Sequence, residues 1–350
     1  SAWARRWETR FGSRLLYRLS LDCGAMSASP ANESQVNRTA AYVSLGLAVV
    51  FVVAVLGGAR FVATQAANQP VAMSQLDSPQ AGSQECSTLI DALPNRLLSH
   101  RRAALADPAP EGAAAWQSSS TERVTLRCGV AMPQQYTAFV EPLTFEAAGA
   151  RWLRVDDATP GSTMSTWYTV DREPAVAVTA DEASLGRDDT PLDGLDLSGL
   201  PAQQHVYAPA PLTQLAADES GAADSCRALT DVAPDSIAEG YRRSAPRDVP
   251  ESAHVIGWIA DGKEPIVVRC GVADPASYAA GAQLSQVDDV PWFEDTTLAN
   301  GTTASTWYAL GRATGVAVSL PQSAGNEAIS NLSALTVSYT HLTLPTSDLV

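Results

Sequence analysis

The sequence predicts an α+β protein: an N-terminal transmembrane helix followed by two tandem small antiparallel-sheet domains, each with a disulfide. Three observations support this prediction: an uncharged apolar run near the N-terminus, a block of sequence that occurs twice, and one pair of cysteines inside each copy. With 350 residues, of which 45% are hydrophobic, the chain is long and apolar enough for two ordinary folded domains.

The apolar run covers residues 40–59 and reads AAYVSLGLAVVFVVAVLGGA. At 1.5 Å per residue, a helix of this length reaches about 30 Å, the thickness of the hydrocarbon core of a bilayer. We therefore expect a transmembrane helix that contacts the lipid bilayer through these residues. A cleavable signal peptide is the alternative, because small residues follow at 63–66, although its apolar region usually has only about 7–15 residues.

The distribution of charge predicts the orientation of this helix. Residues 1–60 hold seven arginines and three acidic residues, whereas the whole chain has a net charge of −15. Basic residues beside a span favour the cytoplasmic side. We therefore expect a single-pass protein of the cell membrane, with a cytoplasmic leader at 1–39 and extracytoplasmic domains from residue 60 onward. Nucleic acid is not an expected partner of so acidic an ectodomain.

Each end of the chain leaves two interpretations open. Residues 1–25 are basic and fit a cytoplasmic helix lying on anionic lipid. Because Met26 opens a short polar leader, they also fit an over-extended reading frame that is not native. Residues 337–350 resemble a translated sequencing adapter, and an ordinary disordered C-terminus is the alternative.

A block of sequence occurs twice in the ectodomain. The pentapeptide RCGVA stands at 127–131 and again at 269–273, and STWY stands at 165–168 and again at 305–308. Further residues match at equal spacing around these motifs: Cys86 and Cys226, Leu89 and Leu229, Asp91 and Asp231, Pro94 and Pro234, Trp116 and Trp258, Tyr136 and Tyr278, Trp152 and Trp292, and Arg172 and Arg312. This order and spacing predict two repeat domains, at 84–181 and 224–321.

The remaining segments are expected to connect or flank these domains. Residues 60–83 form a linker, residues 182–223 form a second linker rich in Asp, Pro and Gly, and residues 322–350 form a tail. A calcium-binding loop is the alternative for the Asp-rich linker, but the spacing of its aspartates does not match the D-x-D-x-D-G pattern.

Four of the five cysteines lie in the ectodomain, two in each repeat. Their extracytoplasmic location and their pairing by repeat predict the disulfides Cys86–Cys128 and Cys226–Cys270. Zinc binding is the alternative, but two cysteines without a matched histidine make a poor zinc site. We therefore expect no metal, and Cys23 falls in the predicted cytoplasmic leader.

The local pattern predicts how each repeat is built. Residues 85–93 suggest a short helix that carries the first cysteine. Val124, Leu126 and Cys128 alternate with polar neighbours, which predicts a half-buried strand with the second cysteine facing the core. Each STWY segment is expected to form the first arm of a hairpin with a four-residue turn.

The RCGV and TWY blocks, with the surrounding cysteine, proline, tryptophan and arginine residues, resemble the domain of unknown function 3515 family. The resemblance covers both repeats. It implies a membrane-anchored or exported actinobacterial protein of the cell envelope with no established activity. This family usually has one such domain in a chain, so the tandem copy departs from its pattern.

No catalytic residue and no cofactor are expected. A nucleophile needs a neighbouring base, but no histidine recurs at a matched position, and no glycine-rich phosphate loop occurs. Asp91 and Asp231 recur near a helix end, where capping or exposure is the default interpretation. An envelope hydrolase or transferase is the alternative, and it requires one of these carboxylates to converge with Arg and Tyr of the other repeat.

The candidate ligand-binding residues are an aromatic pair and a turn arginine in each repeat: Trp167, Tyr168, Arg172, Trp307, Tyr308 and Arg312. Adjacent residues on a strand face opposite sides, so we expect one aromatic side chain in the core and the other exposed. The exposed ring and the arginine would hold a glycan or a peptide. The alternative is a core tryptophan covered by that arginine through a cation–π contact.

Together these features predict a non-enzymatic binding or scaffolding module of the cell envelope. Its expected partner is a cell-wall polymer or another envelope protein. A second repeat that serves only as a structural spacer is a further alternative.

Overall fold

The computed structural model describes residues 38–67, 69–74, 77–218, 223–246, 249, 253–298, 302–312 and 314–340. The predictions for the leader before residue 38, for Cys23 and for residues 341–350 therefore lie outside the described residues. From Ala59 onward the chain forms one compact unit.

Helix α1 spans Arg38–Ala67 and contains the predicted apolar run. It is the one helix in the described part of the chain with the length and composition to cross a membrane. Its Arg38–Val62 portion has a mean hydropathy of 2.4, and none of it is buried. A helix that is apolar all round and exposed is poorly suited to water but is suited to lipid.

The first repeat is an eight-stranded antiparallel sheet with short helices. Its strand order is β1-β2-β3-β4-β8-β7-β6-β5. The elements are α2 (Gln84–Ala92), β1 (Arg96–Leu97), β2 (His100–Ala103), β3 (Ala113–Gln117), β4 (Arg123–Cys128), β5 (Phe145–Ala147), β6 (Ala150–Asp156), β7 (Met164–Thr169), β8 (Val176–Asp181) and α3 (Glu182–Leu185).

The second repeat is a seven-stranded antiparallel sheet of the same plan, with the strand order β12-β13-β14-β15-β11-β10-β9. A counterpart of β1 does not occur in its described residues. The elements are α4 (Ala223–Val232), β9 (Arg242–Ser244), β10 (Val255–Ile259), β11 (Ile266–Cys270), β12 (Ser285–Val287), β13 (Val290–Asp295), β14 (Ala304–Ala309), β15 (Val316–Pro321) and α5 (Gly325–Thr340).

A disulfide joins the first helix of each repeat to its central strand, as predicted. Cys86–Cys128 links α2 to β4 and Cys226–Cys270 links α4 to β11, each with a Cα–Cα distance of 5.5 Å. All four cysteines are buried in the cores. The prediction of an apolar N-terminal helix followed by two sheet domains, each with a disulfide, is therefore confirmed.

The matched tryptophans and prolines hold the same helix end in place. Trp116 donates its indole N–H to the Pro94 carbonyl oxygen at 2.8 Å, and Trp258 donates to the Pro234 carbonyl oxygen at 2.8 Å. Both indoles are fully buried. Because a buried N–H needs an acceptor, these pairs explain why both residue types recur at fixed spacing.

The prediction of a four-residue hairpin turn is wrong. β7 ends at Thr169 and β8 begins at Val176, so six residues connect them, and six also connect β14 and β15. The Thr169 hydroxyl accepts the Val176 backbone N–H at 2.9 Å, and Val170 donates its N–H to the Arg151 carbonyl oxygen at 2.9 Å. These bonds end the strand ladder earlier than the residue pattern suggested.

Segments outside the matched blocks complete both cores. In the first repeat the buried leucines of the Asp-rich segment close the core: Leu192, Leu195, Leu197 and Leu200. In the second repeat Ala328, Leu332 and Leu335 of α5 occupy the second core. The predicted linker 182–223 is thus also a packing element, and the domain bounds themselves stay a prediction.

Candidate functional site

The segment that precedes each repeat lies across the outer face of its sheet, which we define as the face opposite the disulfide core. We call residues 69–74 the first strap and residues 207–218 the second strap. The first strap forms a bridge between Val71 and Leu105, and the second forms one between Ala217 and Val272. Each sheet therefore has its disulfide core on one face and a strap on the other.

The arginines of the two RCGVA motifs hold these straps. Arg127 donates from Nη2 to the Ser74 carbonyl oxygen at 2.5 Å, and Arg269 donates from Nη1 to the carbonyl oxygens of Leu212 and Leu215, both at 2.7 Å. Burial lowers the pKa of both guanidinium groups. The repeated arginine is thus a structural residue whose role depends on a segment far away in the sequence.

The two repeats are joined by a loop of the first that inserts against the second. Phe139 is fully buried and packs with Ile259, Val267 and the outer face of the second sheet. A Cβ at Gly257 would lie 2.1 Å from Cε1 of the Phe139 ring. Glycine at position 257 is therefore what allows the ring to approach strand β10.

Polar contacts reinforce this joint. Gln135 donates from Nε2 to Oε1 of Glu264 at 2.8 Å, and the Asp156 backbone N–H donates to the Gly262 carbonyl oxygen at 2.8 Å. Glu264 also accepts from the backbone N–H and the hydroxyl of Thr303, at 3.1 and 3.0 Å. The repeats thus share one packed boundary.

Tyr136 anchors the inserted loop on the side of the first repeat. Its ring is fully buried, stands 4.8 Å from the ring of Tyr207 in the second strap, and its hydroxyl accepts a hydrogen bond from Gln204. Burial raises the pKa of this phenol far above its ordinary value. The loop, the second strap and the first sheet are therefore held together around one uncharged tyrosine.

The aromatic residues of the STWY motifs are not exposed. Trp167 is 1% exposed and Tyr308 is 5% exposed, whereas Tyr168 and Trp307 are half-buried. The expectation that one ring of each pair is exposed therefore fails. In the second repeat, Phe139 and the second strap cover the outer face around Tyr308.

The turn arginines of the candidate site also have structural partners. Arg172 donates to the Asp171 carboxylate at 3.0 Å and to the Gly149 carbonyl oxygen, and Arg312 donates from Nη2 to the Asp289 carbonyl oxygen at 3.0 Å. The arginine that lies over Trp167 is Arg154, at 5.9 Å, and not Arg172. Ligand binding by the six candidate residues stays a prediction. Their contacts favour a structural role, in which the rings are packed and the arginines hold nearby loops.

The threonine of each STWY motif does line a groove. Thr166 and Thr306 occupy matched positions on the outer face, each opposite a second hydroxyl residue, Thr179 and Ser319. The two hydroxyl groups of the first repeat lie 2.9 Å apart. The recurrence of this threonine is visible in the two STWY motifs, but the sequence pattern does not distinguish it from the adjacent aromatic residues.

In the second repeat this groove becomes a cleft of about 300 Å³, because the joint and the strap wall it. Strand β14 and Ser319 form one side, and the first repeat and the second strap form the other, with Gln134, Gln135, Thr137, Pro209 and Gln214. The Thr137 hydroxyl is buried and makes no hydrogen bond to any described residue. The cleft therefore offers amide and hydroxyl groups that can both donate and accept, beside the Glu264 carboxylate, which already accepts hydrogen bonds from Gln135 and Thr303.

The carboxylates proposed for the enzyme alternative do not reach this cleft. Asp91 and Asp231 are both exposed on α2 and α4, and neither lines it. Within the described residues there is also no group of three or more His, Cys, Asp or Glu residues that could hold a metal ion.

Comparison with family models gives two adjacent matches. The model described as "Protein of unknown function (DUF3515)" matches residues 45–198 and again residues 196–341. The second match begins within the segment between the two sheets, so it includes the second strap as well as the second sheet. No curated protein and no solved structure matches the chain.

Proposed function

Because the chain belongs to the DUF3515 family in two tandem copies, we propose that it is a membrane-anchored, extracytoplasmic binding or scaffolding module of the cell envelope. The observation that carries the anchoring is α1, whose Arg38–Val62 portion is apolar and unburied. Two disulfides within the sheet domains support an oxidising, extracytoplasmic location.

The cleft between the repeats supports binding as the activity. Its hydroxyl and amide groups suit an uncharged polar ligand, because each can donate or accept a hydrogen bond. Thr306 and Ser319 on its sheet side are buried, with 9% and 5% exposure. A ligand that reaches them is withdrawn from water, which is where hydrogen bonds discriminate best. A cell-wall glycan is the partner that fits this chemistry, and another envelope protein is the second candidate.

A pull-down on purified peptidoglycan tests the proposal. The full chain in detergent should be retained, and Thr306→Val should weaken retention about ten-fold, since one lost hydrogen bond costs about 1.5 kcal/mol. The matched control is Thr166→Val in the first repeat, which should be retained like the wild type. If the wild type is not retained, the wall polymer is removed as the partner.

A further inference from the structure

The outer face of the first sheet carries a row of polar residues across strands β1 to β4, and three of the four are arginines. Arg96 stands opposite Arg101, Arg101 opposite Gln117, and Gln117 opposite Arg123. Residues directly opposite on neighbouring strands lie on the same face. Their neighbours in sequence face the other way and are buried: Leu97, His100, Trp116 and Val124.

A fourth arginine extends this row along β4. Arg127 lies on the same face as Arg123, about 13 Å further along the strand at about 3.3 Å per residue. Arg96, Arg101 and Arg123 are exposed, and Arg127 is half-buried. We call these four residues the arginine patch.

The patch is unneutralised within the described part of the chain. None of its members has a carboxylate within ion-pair distance there, whereas most of the ion pairs that do form use other arginines. Asp181 lines the same groove as Arg123, and its carboxylate accepts the Ser184 backbone N–H at 2.8 Å. An exposed cationic face is unexpected on a chain of net charge −15.

The second repeat lacks this patch, so the duplication does not account for it. The counterpart of Arg101 is Arg242, which lies 3.8 Å from the Asp261 carboxylate. Pro265 stands where the first repeat has Arg123. The counterpart of Arg127 is Arg269, which is buried under the second strap. The cationic face is thus a property of the repeat that directly follows α1.

The first strap brings the chain from α1 onto this same face. Gln117 donates from Nε2 to the Gln69 carbonyl oxygen at 2.6 Å, and Arg127 donates to Ser74. Gln69 follows Val62, the last residue of the apolar portion, by seven positions. Seven residues span at most about 25 Å, so the length of the connecting chain does not allow Gln69 to lie far from the bilayer that we propose for α1.

We propose that the arginine patch binds the phosphate headgroups of anionic lipids in the bilayer that holds α1. Guanidinium groups pair with phosphate through two parallel hydrogen bonds. The three exposed members of the patch, Arg96, Arg101 and Arg123, match a charged surface better than a single small anion. The inference rests on the proposed membrane anchoring, and it gives the first repeat a role that the second repeat lacks.

Arginine labelling with phenylglyoxal on the full chain tests this inference. The chain is reconstituted in vesicles of phosphatidylcholine alone or mixed with phosphatidylglycerol, and modification is read at each arginine by mass spectrometry. Arg96, Arg101 and Arg123 should react about five-fold more slowly in the anionic vesicles, which corresponds to the attraction of one basic residue to an anionic leaflet. High salt should abolish the difference. Arg242 and Arg227 serve as controls and should not change.

A triple variant separates the patch from the anchor. Arg96→Gln, Arg101→Gln and Arg123→Gln together should leave flotation with the vesicles intact, while the lipid-dependent protection of amide hydrogens in β1–β4 disappears. Equal labelling rates in both vesicles would overturn the inference. If soluble polyphosphate slows the labelling and phosphatidylglycerol does not, the ligand of the patch is a soluble polyanion and not a lipid. Failure of the wild type to float would refute the proposed anchoring itself.

Discussion

Phe139 of the first repeat packs against strand β10 of the second repeat at Gly257. The geometry of this contact is asymmetric, because the first repeat has Ala115 where the second has Gly257, and the second repeat has Gly281 at the position that matches Phe139. The Phe139–Gly257 pair is therefore a feature of the boundary between the repeats and not of the repeated domain. The missing Cβ of Gly257 is what leaves room for the Phe139 ring.

Gly257→Ala should destabilise the protein. The new Cβ would overlap the Phe139 ring, and forcing an extra methyl group into a packed site costs about 1–3 kcal/mol. Denaturant unfolding followed by tryptophan fluorescence measures the loss. The double variant with Phe139→Leu should recover part of it, and an additive loss in the double variant would show that the ring is not the obstacle.

The two RCGVA arginines should differ in their effect on stability. Arg269 makes two hydrogen bonds to its strap and Arg127 makes one. Arg269→Gln should therefore cost about 3 kcal/mol, and Arg127→Gln about half of that, because each charged donor contributes roughly 1.5–3 kcal/mol. Urea denaturation of both variants provides the comparison. Equal losses would mean that the straps are held mainly by apolar contacts.

Burial of Tyr136 predicts a loss of stability at alkaline pH. The pKa of Tyr136 in the folded state is raised above the unfolded value of about 10. The stability that its neutral phenol contributes is therefore fully present below about pH 10 and is lost as the pH rises further. Tyr136→Phe should show a smaller alkaline decrease in the free energy of unfolding than the wild type. Tyr278→Phe, at a ring that is 42% exposed, is the control. An unchanged alkaline decrease in Tyr136→Phe contradicts the assignment.

At the scale of elements, α2 and α4 depend on their disulfides. They have nine and ten residues, which is too short for a stable isolated helix. The disulfides close loops with sequence separations of 42 and 44. Replacing both cysteines of one repeat with alanine should lower stability by about 4 kcal/mol in the chain-entropy account.

Thermal unfolding of the two double-cysteine variants measures this effect. The expected decrease is nearly equal for Cys86→Ala with Cys128→Ala and for Cys226→Ala with Cys270→Ala, since the loops have similar lengths. A much smaller loss in one repeat would show that the packing of its helix, through Leu89 or Leu229, is sufficient without the covalent link.

At the scale of the whole molecule, the loop of the first repeat and the second strap form a shared layer. Leu143 packs against the apolar clusters on the outer faces of both sheets. Hydrogen bonds from Gln135 to Glu264 and from Asp156 to Gly262 cross the same boundary. The two sheets are therefore expected to unfold as one cooperative unit.

Calorimetry tests this cooperativity. The wild-type ectodomain should give a single thermal transition, and Phe139→Ala should separate it into two. Removing a buried ring costs about 3–5 kcal/mol, and here that loss falls on the boundary between the repeats. Thr137→Ala removes a hydroxyl of the same loop but no ring, and it should keep the single transition. Two transitions in the wild type would contradict the shared layer.

The duplication, the two disulfides and the apolar helix could all be predicted from the sequence. Each depends on local pattern or on identical spacing: a run without charge, a strand with every second residue apolar, or a cysteine that recurs with its repeat. The candidate site was less predictable. Trp167 and Arg172 recur visibly, yet the tertiary structure gives them core and bracing roles.

The contacts between residues far apart in the sequence follow only from the folded structure. The role of the RCGVA arginines depends on the straps, the need for Gly257 depends on a ring more than a hundred residues away, and the arginine patch appears only when β1, β2 and β4 align in one sheet. The local sequence pattern is enough to predict the helix, the strands and the disulfide of each repeat. The contacts between the repeats depend on strand register and side-chain packing. They cannot be predicted from the sequence, because they produce no periodic pattern along the chain.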